Sequence, residues 1–191
     1  MKNIKKIICM ALILSLLISN VAVAVTKEEA ADQLHAMEIY QGRDGGDLAL
    51  DSTITRAEIA TLVLRITGQE NDLPYSPVAT MTQKDVVGHW AEKNIKKTIE
   101  LGYMKGYDED TFAPNDKISY GEVVTLMLRM LCYEKDIKGD WPVGQIEKAK
   151  EVGLIKGETI FDKSRYSEKL DRGTVAHIIY DAMMMKTNAD Y

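Results

Sequence analysis

A segment that occurs twice in one register constrains this chain more than any other feature. Asp85-Val-Val-Gly88-His-Trp90, followed by Ile95, Gly102 and Gly106, returns 51 residues later as Asp136-Ile-Lys-Gly139-Asp-Trp141, followed by Ile146, Gly153 and Gly157. Of the 22 positions from 85 to 106, nine are identical in the copy, and no gap is needed. Self-similarity at a fixed period marks a repeat architecture, in which each unit buries its apolar face by stacking on its neighbours.

A second series raises the count to three. Ile54-Thr55-Arg56-Ala57-Glu58 leads into an apolar run ending at Ile66, and Ile118-Ser119-Tyr120-Gly121-Glu122 leads into one ending at Met130. A weaker copy, Leu170-Asp171-Arg172-Gly173-Thr174, leads into a run ending at Ala182. These series divide the chain into repeat one (25–69), a linker (70–83) with Pro74 and Pro77, repeat two (84–134), repeat three (135–187) and a tail (188–191).

Residues 1–24 read as a secretory signal peptide: Lys2, Lys5 and Lys6, an apolar run from Ile7 to about Ile18, then Ala22-Val23-Ala24. The run is short of the ~20 apolar residues of a membrane-spanning helix, so no membrane association is expected after cleavage. Without that segment 21 basic residues face 29 acidic ones. Such an acidic balance disfavours nucleic acid as a partner. Cys132 would be the only cysteine left, which excludes an intramolecular disulfide, and it reads as a small buried hydrophobe at the end of a helix.

Each repeat reads as helix, glycine-containing loop, helix. In repeat two the first helix, roughly Ala91 to Leu101, sets Ala91, Ile95 and Ile99 on one face, and Gly102 stops it. Pro142 stands at the start of the corresponding helix in repeat three. In repeat one Thr26 takes the Trp position and forms a capping box with Glu29. The second helices open on Thr55 with Glu58 and on Ser119 with Glu122, both capping boxes, and on Asp171 as a cap. An apolar residue before each cap, Ile54, Ile118 or Leu170, is placed to staple onto Ile59, Val123 or Val175. These helices are apolar on most faces and belong at a centre. The expected fold is all-α: three helix-loop-helix repeats forming a pseudo-threefold single-chain trimer around a central three-helix bundle, with at most short extended pieces near Thr111 to Ala113.

The chain resembles the S-layer homology family, whose domains come as three tandem repeats after a signal peptide. The matching elements are Asp85-x-x-Gly88-x-Trp90-Ala91, Gly102-x-x-x-Gly106, Thr111-Phe112-x-Pro114 and Ile54-Thr55-Arg56-Ala57-Glu58. The resemblance implies a three-pronged fold with grooves between repeats. It also implies a secreted, non-catalytic module on the bacterial cell surface that binds an anionic, often pyruvylated, secondary cell-wall polysaccharide. It further implies that the arginine of the second motif, here Arg56 and Arg172, reaches the pyruvate carboxylate. Repeat two departs from the pattern with Tyr120 in the arginine's place, and repeat three with Asp171, Gly173 and Thr174. One or two working sites are therefore expected rather than three.

The chemistry of Arg56 leads to a similar place. A cation in the first turn of a helix opposes the macrodipole. Together with free backbone N–H groups it makes an anion site, and its fork can hold a carboxylate bidentately. The competing reading pairs it with Asp51 or Glu58 of its own chain. Arg65 and Arg129, near helix C-termini, are ordinary there. Trp90 and Trp141 divide between packing anchors and platforms for a sugar ring, Asp85 and Asp136 between capping or bracing the turn before their helices and contacting ligand, and Tyr120 is a further candidate that could stack on a sugar. Asp44-Gly-Gly-Asp47 and Asp108-Glu-Asp110 lack the ligand spacing of a calcium loop. His35, His89 and His177 show no metal spacing, and no catalytic set is evident, so neither an enzyme nor a cofactor is expected. The rival function is a degenerate repeat domain that contacts other cell-surface proteins without binding polysaccharide.

Overall fold

The computed structural model describes residues 25–43, 46–70, 82–156 and 163–187; the signal-peptide, tail and most of the linker assignments fall outside them. Among the described residues six helices carry the fold: α1 (Lys27–Ala36), α2 (Arg56–Ile66), α3 (Glu92–Glu100), α4 (Tyr120–Met130), α5 (Val143–Glu151) and α6 (Arg172–Met183). Three-residue 3-10 turns, Lys84–Val86, Glu134–Asp136 and Lys163–Arg165, stand between them. The chain is all-α as expected.

Local sequence fixes the helix starts. Thr26, Thr55 and Ser119 each accept from the backbone N–H of a glutamate three residues on, and that glutamate accepts from the cap's own N–H, which closes all three capping boxes. Asp171 caps α6 through Thr174 N–H. Pro142 sits at the cap of α5, one position before the first helical residue. The stapling residues are interior: Ile54, Ile59, Ile118, Val123 and Val175 are at most 1% exposed and Leu170 is 5% exposed. Burial of each such side chain contributes about 1.5–3 kcal/mol.

The repeats interlock in a cycle. Helix α3 of repeat two packs on α2 of repeat one, α5 of repeat three packs on α4 of repeat two, and α1 of repeat one packs on α6 of repeat three. The second helices meet directly between α4 and α6. Where the three lead-ins converge, Ile54 N–H donates to Leu170 O (3.4 Å), Leu170 N–H to Ile118 O (3.2 Å) and Ile118 N–H to Ile54 O (3.0 Å), a closed ring of three bonds. The extended pairing is therefore here, as isolated bridges Thr53 to Asp171, Thr55 to Lys117 and Ser119 to Lys169. The loop at Thr111 to Ala113, for which the sequence allowed at most short extended pieces, forms no such bridge. Cys132 also departs from expectation: it follows the end of α4 with a left-handed φ of 63° and is only partly buried.

Candidate functional site

The guanidinium of Arg56 is buried, 4% exposed, and crosses into repeat two. Its Nε donates to Phe112 O (2.9 Å), its Nη2 to Lys105 O (2.9 Å) and its Nη1 to Glu122 Oε1 (2.6 Å). The cation lies over the rings of Tyr107 and Phe112, 4.3 and 4.6 Å from their centroids. Arg172 repeats the pattern across the junction of repeats three and one, donating to Leu48 O (2.8 Å), Gln41 O (2.9 Å) and Glu58 Oε1 (3.3 Å), over the ring of Tyr40. The arginine of one repeat thus pairs with the capping glutamate of the next.

These glutamates serve two neighbours at once. The second oxygen of Glu122 accepts from the N–H and hydroxyl of Ser119, and that of Glu58 from the N–H and hydroxyl of Thr55. Burial works to raise the Glu122 carboxyl; the bonds from Ser119, the Arg56 cation and the Tyr107 hydroxyl outweigh it and hold the group below the usual carboxylate range. Glu58 is lowered in the same way, against burial, by Thr55 and by Arg43, whose Nη2 lies 2.9 Å from Glu58 Oε1.

A trough of about 740 Å³ runs beside α4. Ser119, Glu122, Leu126 and Arg129 form its floor, a single stripe at helical spacing. One wall is the loop Tyr103 to Tyr107, with Arg56 behind it; the other is Trp141 to Val143 with Tyr166, Ser167 and Lys169. A Cβ on Gly106 would stand 2.7 Å from Asp108 O and 2.8 Å from Thr111 O, so this wall requires glycine at its turn. A Cβ on Gly121 would stand 3.0 Å from Pro142 Cβ, so glycine there lets Pro142 close against α4. Trp141 is 56% exposed, and its Nε1 donates to Thr125 Oγ1 (3.0 Å), which ties the N–H edge of the ring to α4. The lining holds four cations, Arg56, Lys105, Arg129 and Lys169, against one carboxylate, Glu122.

Residues 84–124, from the turn before α3 into the first turns of α4, match the S-layer homology domain family. The chain carries an S-layer homology domain. It is similar to a surface layer protein of Brevibacillus choshinensis, 34% identical over 131 residues that cover 68% of this chain and 12% of the relative. It is also similar to a cell surface protein of Thermoanaerobacter kivui, 30% identical over 197 residues covering 96% and 25%. A third relative is the cellulosome-anchoring protein of Acetivibrio thermocellus, 34% identical over 93 residues covering 49% and 21%. The chain spans between 12% and 25% of the length of these relatives.

Sequence reasoning named the S-layer homology residues but did not place them together. Arg56 and Trp141, from repeats one and three, line one trough with Glu122, which had been read only as a cap. Trp90 stands before α3, which packs on α2, the helix that carries Glu58, and it does not line the trough beside α4. It is 67% exposed, and the hydroxyl of Thr61, equivalent to Thr125, accepts instead from Asn94. Asp85 braces the loop after α3: its carboxylate accepts from Phe112 N–H (3.0 Å) and Ala113 N–H (2.6 Å). Tyr120 is 5% exposed with no hydrogen bond to its hydroxyl, and burial raises that group.

Two features differ from expectation. Arg56 is not a cation awaiting a partner, and its partner is Glu122 rather than Asp51 or Glu58. Nor are the first N–H groups of the second helices free: Arg56 N–H donates to Asp116 O and Ala57 N–H to Pro114 O, with the same pattern at Tyr120 and Gly121 and at Arg172 and Gly173. The neighbouring loop caps the helix and takes the donors that an anion would use.

Lys169 and Lys105 were missed. Lys169 Nζ lies 3.9 Å from Glu122 Oε2. Its position, two residues before the cap of α6, is held by Lys117 and Thr53 in the other lead-ins, a comparison available in the sequence. Among the described residues no cluster of His, Cys, Asp and Glu is arranged to hold a metal, and no helix is long and apolar enough to cross a membrane.

Proposed function

We propose that this S-layer homology domain holds its protein on the bacterial cell surface by binding an acidic polysaccharide of the cell wall, without catalysis. The observation that carries the reading is the trough beside α4, with four cations to one carboxylate in a chain whose formal charge is −5. An exposed indole face beside a partly satisfied arginine fits a sugar ring bearing a carboxylate. Lys105 and Lys169 supply the exposed cations, while Arg56 makes three of its five possible donations within the protein. A pyruvate ketal on an amino sugar is an acidic group of the right kind. Relatives named as surface layer and cellulosome-anchoring proteins support the surface setting.

Two of the three inter-repeat contacts carry this equipment in the proposal. The contact at Glu122 combines Arg56, Lys169 and Trp141; the contact at Glu58 combines Arg172, Lys117 and Trp90. At the third, Tyr120, Thr174, Thr53 and Thr26 stand in the equivalent places, with neither charge nor indole among them. That contact fits the second reading, a structural or protein-facing surface.

The test is co-sedimentation of residues 25–191 with purified wall sacculi before and after removal of wall polysaccharide. Retention that depends on the polysaccharide, and that falls at least about tenfold in Trp141→Ala with Lys169→Gln, is the expected result. Equal retention by stripped sacculi would overturn the proposal in favour of a protein-interaction module.

A further inference from the structure

The trough is charged at both ends, and its far end is peculiar to this contact. From Glu122 to Arg129 is seven residues of α4, about 10 Å along the axis. At the near end are Arg56 and Lys169. At the far end Arg129 donates from Nε to Glu134 Oε1 (2.9 Å) and from Nη1 to Tyr103 O (3.2 Å). Lys105 reaches the same Glu134 oxygen at 3.7 Å and is 65% exposed. Two cations thus share one carboxylate.

The contact at Glu58 is balanced at the corresponding place. Arg65 is paired with Glu70 through both carboxylate oxygens, at 3.0 and 2.9 Å, and the residue equivalent to Lys105 is Gln41. The surplus charge therefore comes from Lys105. Between the two ends the trough offers the Trp141 face and the apolar side chain of Leu126 and no second carboxylate, a surface suited to the body of a sugar chain.

We infer that the trough beside α4 binds a segment of two or three sugars carrying acidic groups at two points about 10 Å apart, the second held by Lys105 and Arg129. This rests on the polysaccharide reading above and adds a ligand length and a second anion subsite to it. The contact at Glu58, with Gln41 in place of the lysine, takes one acidic group only. Lys105 is a specificity-determining residue for chain length.

The test uses wall polysaccharide released from sacculi, cut with glycosidases at neutral pH and separated into fragments of one to four sugars. Binding to residues 25–191 and to Lys105→Gln is followed by tryptophan fluorescence. Lys105 is exposed, so the variant keeps the fold. Expected is a gain of about tenfold in affinity from one to three sugars, equivalent to about 1.4 kcal/mol, which Lys105→Gln removes. A length gain that persists in Lys105→Gln, or no length gain in the unaltered chain, overturns the inference and leaves the polysaccharide reading intact. Failure of every fragment to bind the unaltered chain overturns both.

Discussion

The contact at Glu122 and the contact at Thr174 occupy equivalent places and share a backbone. Ala57 N–H donates to Pro114 O in one and Gly121 N–H to Tyr166 O in the other, each 2.9 to 3.0 Å. Their side chains differ throughout. One joins a buried ion pair to further cations and an indole; the other puts Tyr120, Thr174, Thr53 and Thr26 in the same positions. In the sequence these are four departures scattered over three repeats. In the folded ring they belong to one junction. A buried cation without its carboxylate is strongly destabilising, so loss of Arg at one position favours loss of Glu at the other, and the ring geometry says which two positions those are.

The largest effect expected on this comparison comes from Arg56→Ala. It removes the cation from a carboxylate that is 13% exposed and breaks two bonds to carbonyls, so urea unfolding should show a loss of about 3–5 kcal/mol. The substitution is therefore a poor isolated test of binding, whereas Trp141→Ala and Lys169→Gln leave the buried pair of Arg56 and Glu122 in place. A loss under about 1 kcal/mol would mean that the pair is not a structural element.

Rebuilding the missing pair comes next. Tyr120→Arg alone buries a cation without a partner and should destabilise, whereas Tyr120→Arg with Thr174→Glu should recover at least about 2 kcal/mol in a double-mutant cycle. Additive effects would break the equivalence of the two contacts.

A smaller change is expected from Asp85→Ala. It leaves the Phe112 and Ala113 N–H groups without their acceptor and should cost about 2 kcal/mol by thermal or urea unfolding. Fragment binding should weaken with it, because the loop supplies the carbonyls that hold Arg56.

The smallest is a pH effect. Glu58 and Glu122 have carboxyls held below their ordinary value in the folded chain. Their contribution is present above the unfolded value and is lost as pH falls through the lower folded values. Stability should decline with acid, and Glu122→Gln should flatten the decline while Thr174→Glu alone should not.

What could be read from sequence follows how local each feature is. The caps at Thr55, Ser119 and Asp171 depend on residues three apart, and all were legible. Asp85 was read as bracing the turn before α3, whereas its targets, Phe112 and Ala113, lie in the loop after that helix. Arg56 stands in the first turn of α2, the place that drew attention to it, but its partner lies 66 residues on in another repeat. Nothing local distinguishes Glu122 as an ion-pair partner from Glu122 as a cap, because it is both. The packing of α5 on α4 and of α3 on α2 is likewise a property of the ring, and it decides that Arg56 goes with Trp141 rather than with Trp90. Two signals were available in advance: Tyr120 and Thr174 fall on consecutive repeats, and Lys169 and Lys117 share a lead-in position that Thr53 holds in repeat one.

The central claim is that charged binding contacts number two and that each is built from three repeats. Isothermal titration of residues 25–191 with short fragments of wall polysaccharide tests it most directly. The account predicts two sites per chain, with Trp141→Ala removing one and Trp90→Ala the other; three sites, or a Trp90→Ala variant that abolishes the site reporting on Lys169, would contradict it.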